Sequence, residues 1–284
     1  MFDKNKFYIN LNKYRRSFQI FTLFFLIAIP ILILLDIRYI IGNLYSINFW
    51  NLEIVDPSMI LQTIVLSKEF YIPLLIGGII PILLALLLGR VFCSWACPYN
   101  TILELLELKW IRRLRRKFTK KNKKVSKNPK PIIYWSIFLV IILITVISGF
   151  HFFTWISMPG IISSEIFASI VGFGLGIEFI LFIAILLSEV ILGKRYWCKY
   201  ICPVGATLSL FRTKYTLHIS HNDDVCDCSA YSEPCVNVCP LNLSPKQFNL
   251  YPYCFNCGRC IKICEQTGNR ALKFSFVKET LKKM

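Results

Sequence analysis

Twelve cysteines stand in this chain, and all of them fall into four compact groups. Cys254, Cys257, Cys260 and Cys264 follow the spacing C-x2-C-x2-C-x3-C, the run by which thiolates hold cubane iron–sulfur clusters. Cys226, Cys228, Cys235 and Cys239 make a second quartet that ends in Cys239-Pro240. Two CxxxCP pairs complete the set, Cys93 with Cys97 before Pro98 and Cys198 with Cys202 before Pro203.

Where two clusters share two runs, the first three cysteines of one run take their fourth ligand from the other. One [4Fe-4S] cluster is therefore expected on Cys239, Cys254, Cys257 and Cys260. A second is expected on Cys226, Cys228, Cys235 and Cys264. Its C-x-C-x6-C spacing is irregular, with Tyr231-Ser232-Glu233-Pro234 as an inserted turn, which leaves open whether Cys226 or Cys228 is a spectator. Zinc on tetrahedral thiolates is the competing chemistry for eight cysteines, and the x2-x2-x3 run favours iron–sulfur.

The elements that carry these thiols are apolar. Hydrophobic residues make up 55% of the chain, aromatics 15%, and the mean hydropathy is +0.55, too apolar for an ordinary soluble domain of 284 residues. Four stretches approach or exceed the roughly 20 residues that a membrane-crossing helix needs: Phe18 to Ile41, Tyr71 to Leu88, Ile132 to Trp155 and Ile170 to Leu192. The fourth carries Glu178 and Glu189, whose cost its apolar residues offset. No small-residue cleavage site follows the first stretch, so it reads as an anchor and not a cleaved leader.

The net charge of +17 is unevenly spread. Basic residues crowd the N-terminus, the Lys109 to Lys130 segment and the residues after the fourth stretch, while Gly42 to Phe70 and the short turn around Met158 to Ser169 hold Lys68 alone. The positive-inside rule then places both termini in the cytoplasm of a multi-pass protein of a bacterial inner membrane. The basic residues carry no stacking or groove-reading pattern, which argues against nucleic acid. All four cysteine groups fall on the reducing side, where clustered thiols bind metal or do redox chemistry. The segment Ile102 to Phe118 is amphipathic and is expected on the membrane surface, with docking of an acidic partner as the second reading.

The chain also repeats. Gly89 through Pro98 is echoed by Gly193 through Pro203, with both cysteines displaced by the same 105 positions, and each copy follows an apolar stretch. Two helical hairpins of like orientation are expected, each presenting cysteines i and i+4 on one helix face before a proline. Converging, Cys93, Cys97, Cys198 and Cys202 would form a third metal centre or a switchable dithiol; packing between helices is the bland reading. The fold expected is an α-helical integral membrane protein of four crossings over residues 1–217, followed by a small two-cluster ferredoxin-like α+β domain over 218–284.

No CxxCH, GxGxxG or GxxxxGK[ST] motif occurs, and His151 is the only histidine in a span, which excludes bis-histidine haem within the bilayer. Electron carriers are then a membrane quinone and other proteins. A quinol site needs a proton acceptor beside the electron acceptor. Glu189, one turn before the second CxxxCP, is the first choice; Asp36, His151, Glu165 and Glu178 are alternatives.

Arg15-Arg16, Asp56-Pro57 to Leu61-Gln62, Phe92 through Pro98, Gly172-Phe173-Gly174 and Trp197 through Ala206, taken in order with the terminal quartets, resemble the NapH family. That family is the membrane component of the quinol dehydrogenase feeding periplasmic nitrate reductase. The resemblance spans nearly the whole chain. It implies four transmembrane helices, a cytoplasmic two-cluster domain, oxidation of quinol from the membrane quinone pool, and electron transfer toward a NapG-like iron–sulfur protein and periplasmic nitrate reductase. CxxxCP pairs also occur in NosR-like regulators of nitrous-oxide respiration and in CcoG-like copper reductases. Those relatives are usually larger, and this chain lacks Met-rich or His-rich tracts suited to copper. The irregular Cys226 quartet departs from the family pattern.

Overall fold

A computed structural model describes residues 4–36, 39–50, 52–107, 128–172, 174, 176–226, 228, 233–247, 250–267 and 270–276. Most of the basic segment, together with Phe173, Tyr231 and Ser232, lies outside the described residues.

The chain opens with α1, Lys4–Leu34. A three-stranded antiparallel sheet follows, β1 (Ile40–Gly42), β2 (Ser46–Phe49) and β3 (Leu52–Val55), with Ile40 opposite Phe49 and Ser46 opposite Val55. Then comes α2, Pro57–Ser67, whose start is set by Asp56: its carboxylate accepts from the Ser58 backbone, and Pro57 fixes the first helical φ. After α2 the chain runs through α3 (Ile72–Leu88), α4 (Val91–Trp95) and α5 (Pro98–Leu106). The second half repeats the order with α6 (Pro131–Ser148), α7 (Phe152–Ile156), α8 (Met158–Val171), α9 (Ile177–Leu192), a π-helical turn Trp197–Ile201, and α10 (Pro203–Leu210). The C-terminal part holds β4 (His218–His221), α11 (Pro234–Asn237), α12 (Arg259–Gln266) and β5 (Leu272–Ser275); β4 and β5 pair antiparallel.

By length and composition, Phe7–Leu34 and Pro131–Ser148 are apolar enough to cross a membrane. Ile72–Leu88 joined to Val91–Leu106 makes a third candidate, broken by a bend of 87°. The 16 residues of α9 span about 24 Å at 1.5 Å per residue, short of a hydrocarbon core of about 30 Å. The four expected crossings are thus two or three among the described residues.

The two segments expected as loops on the far side are helical instead. α2 and α8 are short apolar helices, and each packs across the repeat: α2 lies on α10, and α8 lies on α5. α6 packs on α2 as α1 packs on α8. Each half therefore supplies the helix that covers the other half's post-CxxxCP segment. Both stretches are too apolar to stay in water, and neither is long enough to cross alone.

The cysteine-rich C-terminal segment is built into this body. Tyr253 and Phe255, both buried, share one core with Tyr134, Phe138 and Ile141 of α6 and with Phe153 and Ile156 of α7. α12 packs along α1, where Leu11 fills the space over Gly258. Gly258 has φ 71°, and a Cβ there would strike the Leu11 side chain, so glycine serves both the turn and the close approach.

Candidate functional site

The two CxxxCP segments close in the same way, although the first is α-helical and the second a π-helical turn. Cys97 donates its N–H to Phe92 O at 3.0 Å, and Cys202 donates to Trp197 O at 3.0 Å, a bond to the fifth residue back in each copy. Cys97 (ψ 120°) and Cys202 (ψ 117°) are extended and start new helices at Pro98 and Pro203. The expectation of two cysteines on one continuous helix face is corrected here. Proline disfavours the helical region for the residue before it, so the second cysteine of each pair leaves the helix that carries the first.

The turns nonetheless bring the four thiols into one region, although not as close as a single metal ion would require. Cys97 lies within electrostatic reach of Cys93 and Cys202, Cys198 of Cys97 and Cys202, and Cys202 of Cys93. Arg90, 3% exposed, sits beside Cys93 and Cys202 and over the Tyr134 ring. Its guanidinium donates to Cys198 O at 3.0 Å and to Pro252 O at 2.6 Å. Gly205 packs beneath that guanidinium with no space for a Cβ.

Glu189 falls next to this centre. Its Oε2 accepts from Tyr99 OH at 2.7 Å and its Oε1 from the Trp197 N–H at 2.6 Å, so the carboxylate joins α5, the helix after the first CxxxCP, to the turn that carries the second. Glu165 instead caps Gly176 N–H at 3.1 Å, His151 stands exposed at the start of α7, and Asp36 ends α1 with φ 61°.

The C-terminal cysteines divide between two small, almost wholly apolar cavities. Cys239, Cys254, Cys257 and Cys260 line one, with Leu241, Leu243 and Phe255. Cys226, Cys228, Cys235 and Cys264 line the other, with Pro234, Ile263 and Leu272. Cys226 and Cys228 both face the second cavity, although one residue separates them. Burial pushes the Cys254 thiol up to about 12 and the Cys235 thiol up to about 11, so thiolates at these positions need a bound cation.

The donor set tests which cation fits. Among the described residues no three His, Cys, Asp or Glu side chains gather tightly enough to hold one metal ion. Tetrahedral zinc, at about 2.3 Å from each sulfur, requires sulfurs within roughly 4 Å of one another. A cubane would spread its four thiolates over four irons, and the four cysteines around each apolar cavity supply the donor set it needs.

Direct bonds tie the first cavity to the CxxxCP centre. Ser94, inside the first CxxxCP, donates to Phe255 O at 2.7 Å, and Arg90 reaches Pro252 O; both acceptors flank Cys254. Asn256, in the left-handed region at φ 52°, donates to Leu88 O at 3.1 Å and Leu217 O at 2.7 Å, fixing the Cys254–Cys257 loop to the end of α3. Lys199 donates to Leu241 O at 3.0 Å beside Cys239. Sequence reading passed over Arg90 and Asn256; the only available signal was their place within or next to cysteine motifs.

Below these sites a charged web closes the interior. Arg15 makes a two-bond contact with Glu104, Arg259 reaches the same carboxylate at 2.8 Å, and Arg195 approaches it at 3.8 Å. Burial alone would raise Glu104, but the Arg15 hydrogen bond and the Arg259, Arg15 and Arg195 charges outweigh it and hold it at about 2. The surface placement expected for Ile102 to Phe118 is therefore corrected for its described part: Leu103 is buried against α8 and α9, and the Glu104 carboxylate against α1 and α12.

Apolar helices, repeated CxxxCP turns and four-cysteine cavities define a ferredoxin-type, membrane-associated iron–sulfur protein. A family model described as "4Fe-4S binding domain" matches residues 71–121 and 175–215, the two stretches that hold the CxxxCP pairs. "Ferredoxin-type protein NapH" of Escherichia coli K12 is 30% identical over 233 residues, covering 78% of this chain and 75% of that protein. The protein of the same name from Haemophilus influenzae is 29% identical over 213 residues, covering 71% and 68%. "Methylamine utilization ferredoxin-type protein MauN" of Paracoccus denitrificans is 28% identical over 203 residues, covering 70% and 66%. No solved structure matches the chain. The chain belongs to the NapH family of ferredoxin-type proteins and is an iron–sulfur electron-transfer protein related to NapH and MauN.

Proposed function

We propose that this protein is a multi-pass component of a bacterial inner membrane, with both termini cytoplasmic, that oxidises quinol. In this reading it acts as the quinol-dehydrogenase subunit of an electron-transfer complex. Four crossings follow if α3 and α9 span along with α1 and α6. Outward-facing Ile76, Ile79, Leu83, Ile180, Leu187 and Ile191 support that reading, because they present bare apolar surface that only lipid solvates. Residues 1–217 form the membrane part and 218–284 the cluster-bearing part. Cys239, Cys254, Cys257 and Cys260 hold one [4Fe-4S] cluster, and Cys226, Cys228, Cys235 and Cys264 a second. Each cluster supplies one-electron storage when bound.

The observation that carries this reading is the continuity from Glu189 through the CxxxCP thiols to the Cys254 loop. A buried carboxylate bonds Tyr99 just after the first CxxxCP and Trp197 just before the second, Arg90 bonds Cys198 O, and Arg90 and Ser94 reach the loop around Cys254. Quinol loses protons as it loses electrons, so an acceptor for each must lie close together. Glu189, backed by Tyr99, takes a proton from the quinol, while Cys93, Cys97, Cys198 and Cys202 would hold the redox or third metal centre, which when formed would supply the electron-accepting chemistry beside it. The family match over both CxxxCP stretches supports an iron–sulfur role for these thiols. By relation to NapH, electrons pass toward a NapG-like partner and periplasmic nitrate reductase. A copper-reducing or regulatory role is the alternative.

The test is an EPR titration of purified protein in detergent. Menaquinol should reduce the clusters within seconds; clusters that stay oxidised with quinol but respond to a copper couple would overturn the reading.

A further inference from the structure

A broad polar cleft opens between the start of α1, the end of α5, the Asn237–Asn242 segment and α12. Four cationic side chains line it, Arg15, Arg16, Arg259 and Lys262, against two carboxylates, Glu104 and Glu107. The carboxylates are already engaged: Glu104 is gripped by Arg15, Arg195 and Arg259, and Glu107 stands 3.7 Å from Arg195 and 3.9 Å from Arg259. Positive charge is therefore in surplus. Arg15 is 1% exposed, and its Nε, buried in the cleft wall, has no hydrogen-bond partner in the structure.

The cleft also lies against both cysteine cavities. Cys239 and Pro240 line the cleft on one side and the Cys254 cavity on the other. Ile263 in the same way divides the cleft from the Cys226 cavity. Cys239 is half-buried, and Arg16 is exposed at the rim. Electron exchange between proteins requires the two redox groups to approach closely, and charge complementarity steers that encounter. Among the described residues, this cleft combines an accessible cationic surface with a wall of one or two residues to each cavity.

We infer that this cleft is the electron-exchange port of the molecule, where an acidic soluble one-electron carrier docks with its carboxylates against Arg16, Arg259 and Lys262. The inference rests on the cluster assignment above and adds to it the face and the chemistry of the partner. One electron crosses the Cys239-Pro240 wall per encounter; the carrier changes oxidation state by one, the cluster by one in the opposite sense, and no bond forms.

The experiment uses the full-length protein in detergent and two probes, a reduced flavodoxin as an acidic donor and ferricytochrome c as a basic acceptor. Stopped-flow rates are measured for Arg16→Glu, Lys262→Glu and the control Lys214→Glu, an exposed lysine that does not line the cleft, after iron content and EPR spectrum are matched to wild type. Each cleft reversal should slow cluster reduction by flavodoxin about tenfold or more, flatten its dependence on ionic strength, and leave or raise the cytochrome rate. The control should change neither. Equal slowing by Lys214→Glu, or slowing of both carriers together, would overturn the proposal. So would stoichiometric binding of inorganic phosphate that the cleft variants abolish while carrier rates stay unchanged, which would assign the cleft to a small anion. Reduction of the same samples by menaquinol is the separate readout: if it persists while docking fails, only this inference falls.

Discussion

Arg15 and Glu104, 89 residues apart in the chain, meet through two hydrogen bonds, Nη1 to Oε1 at 2.5 Å and Nη2 to Oε2 at 2.9 Å. Their side chains are 1% and 4% exposed. The pair fixes the first helix to the segment that follows the first CxxxCP, and Arg259 adds the cluster-bearing helix to the same carboxylate. One anion thus anchors three parts of the fold.

Removing that anion takes away the carboxylate that grips Arg15 and leaves Arg195 and Arg259 with Glu107 alone, at 3.7 and 3.9 Å. Glu104→Gln should lower stability by about 3–5 kcal/mol, the range for breaking a buried pair from one side. Thermal unfolding in detergent, followed by near-ultraviolet circular dichroism, measures the loss. The pH dependence has a fixed sign. The carboxyl is held at about 2, below its ordinary 4.5, so its contribution is complete above about pH 4.5 and fades as pH falls toward 2. The difference between wild type and variant should therefore be the same at pH 6 and pH 8.

Arg90 offers a second handle. Its guanidinium satisfies carbonyls of Cys198 and Pro252, and Gly205 packs directly beneath it. Gly205→Ala should cost about 1–3 kcal/mol through overpacking, because the neighbour that must move is itself held by those bonds. Arg90→Gln should perturb the EPR lineshape of the cluster beside Cys254 more than that of its neighbour. Equal change in both signals would argue that Arg90 is only a structural prop.

Glu189 and Tyr99 are expected to act on proton removal. Glu189→Gln should slow menaquinol-driven cluster reduction by about 10²–10⁴-fold, the usual contribution of a general base. Tyr99→Phe should give a smaller loss. Reduction by dithionite, which needs no proton acceptor there, should be unchanged in both.

The Cys226–Cys228 pair separates two readings of the irregular quartet. Both residues line the same cavity. Cys226→Ser and Cys228→Ser, made singly, should each abolish the second cluster's EPR signal and leave the first. A variant with full signal would identify that cysteine as the spectator.

Much of this site was legible in the sequence because metal-ligand chemistry is written in spacing. The cysteines that share each C-terminal cavity are those grouped by C-x2-C-x2-C-x3-C and its crossed fourth ligand, and the 105-residue repeat reappears as two turns with matching backbone bonds. Long-range partnership was not legible. Arg15 reads as one more basic residue near the N-terminus, since nothing local announces Glu104 as its partner. The helix Pro57–Ser67, 11 residues between apolar stretches, reads as loop until its packing on α10 is seen. The CxxxCP turns defeated helix periodicity because each proline acts on the cysteine before it.

Iron and acid-labile sulfide counted in purified protein, wild type against Cys254→Ser and the double variant Cys254→Ser/Cys235→Ser, test the central claim most directly. The account predicts a loss of about four irons and four sulfides per chain in the first variant and about four more of each in the second. Unchanged iron, or zinc in place of iron without sulfide, would contradict it.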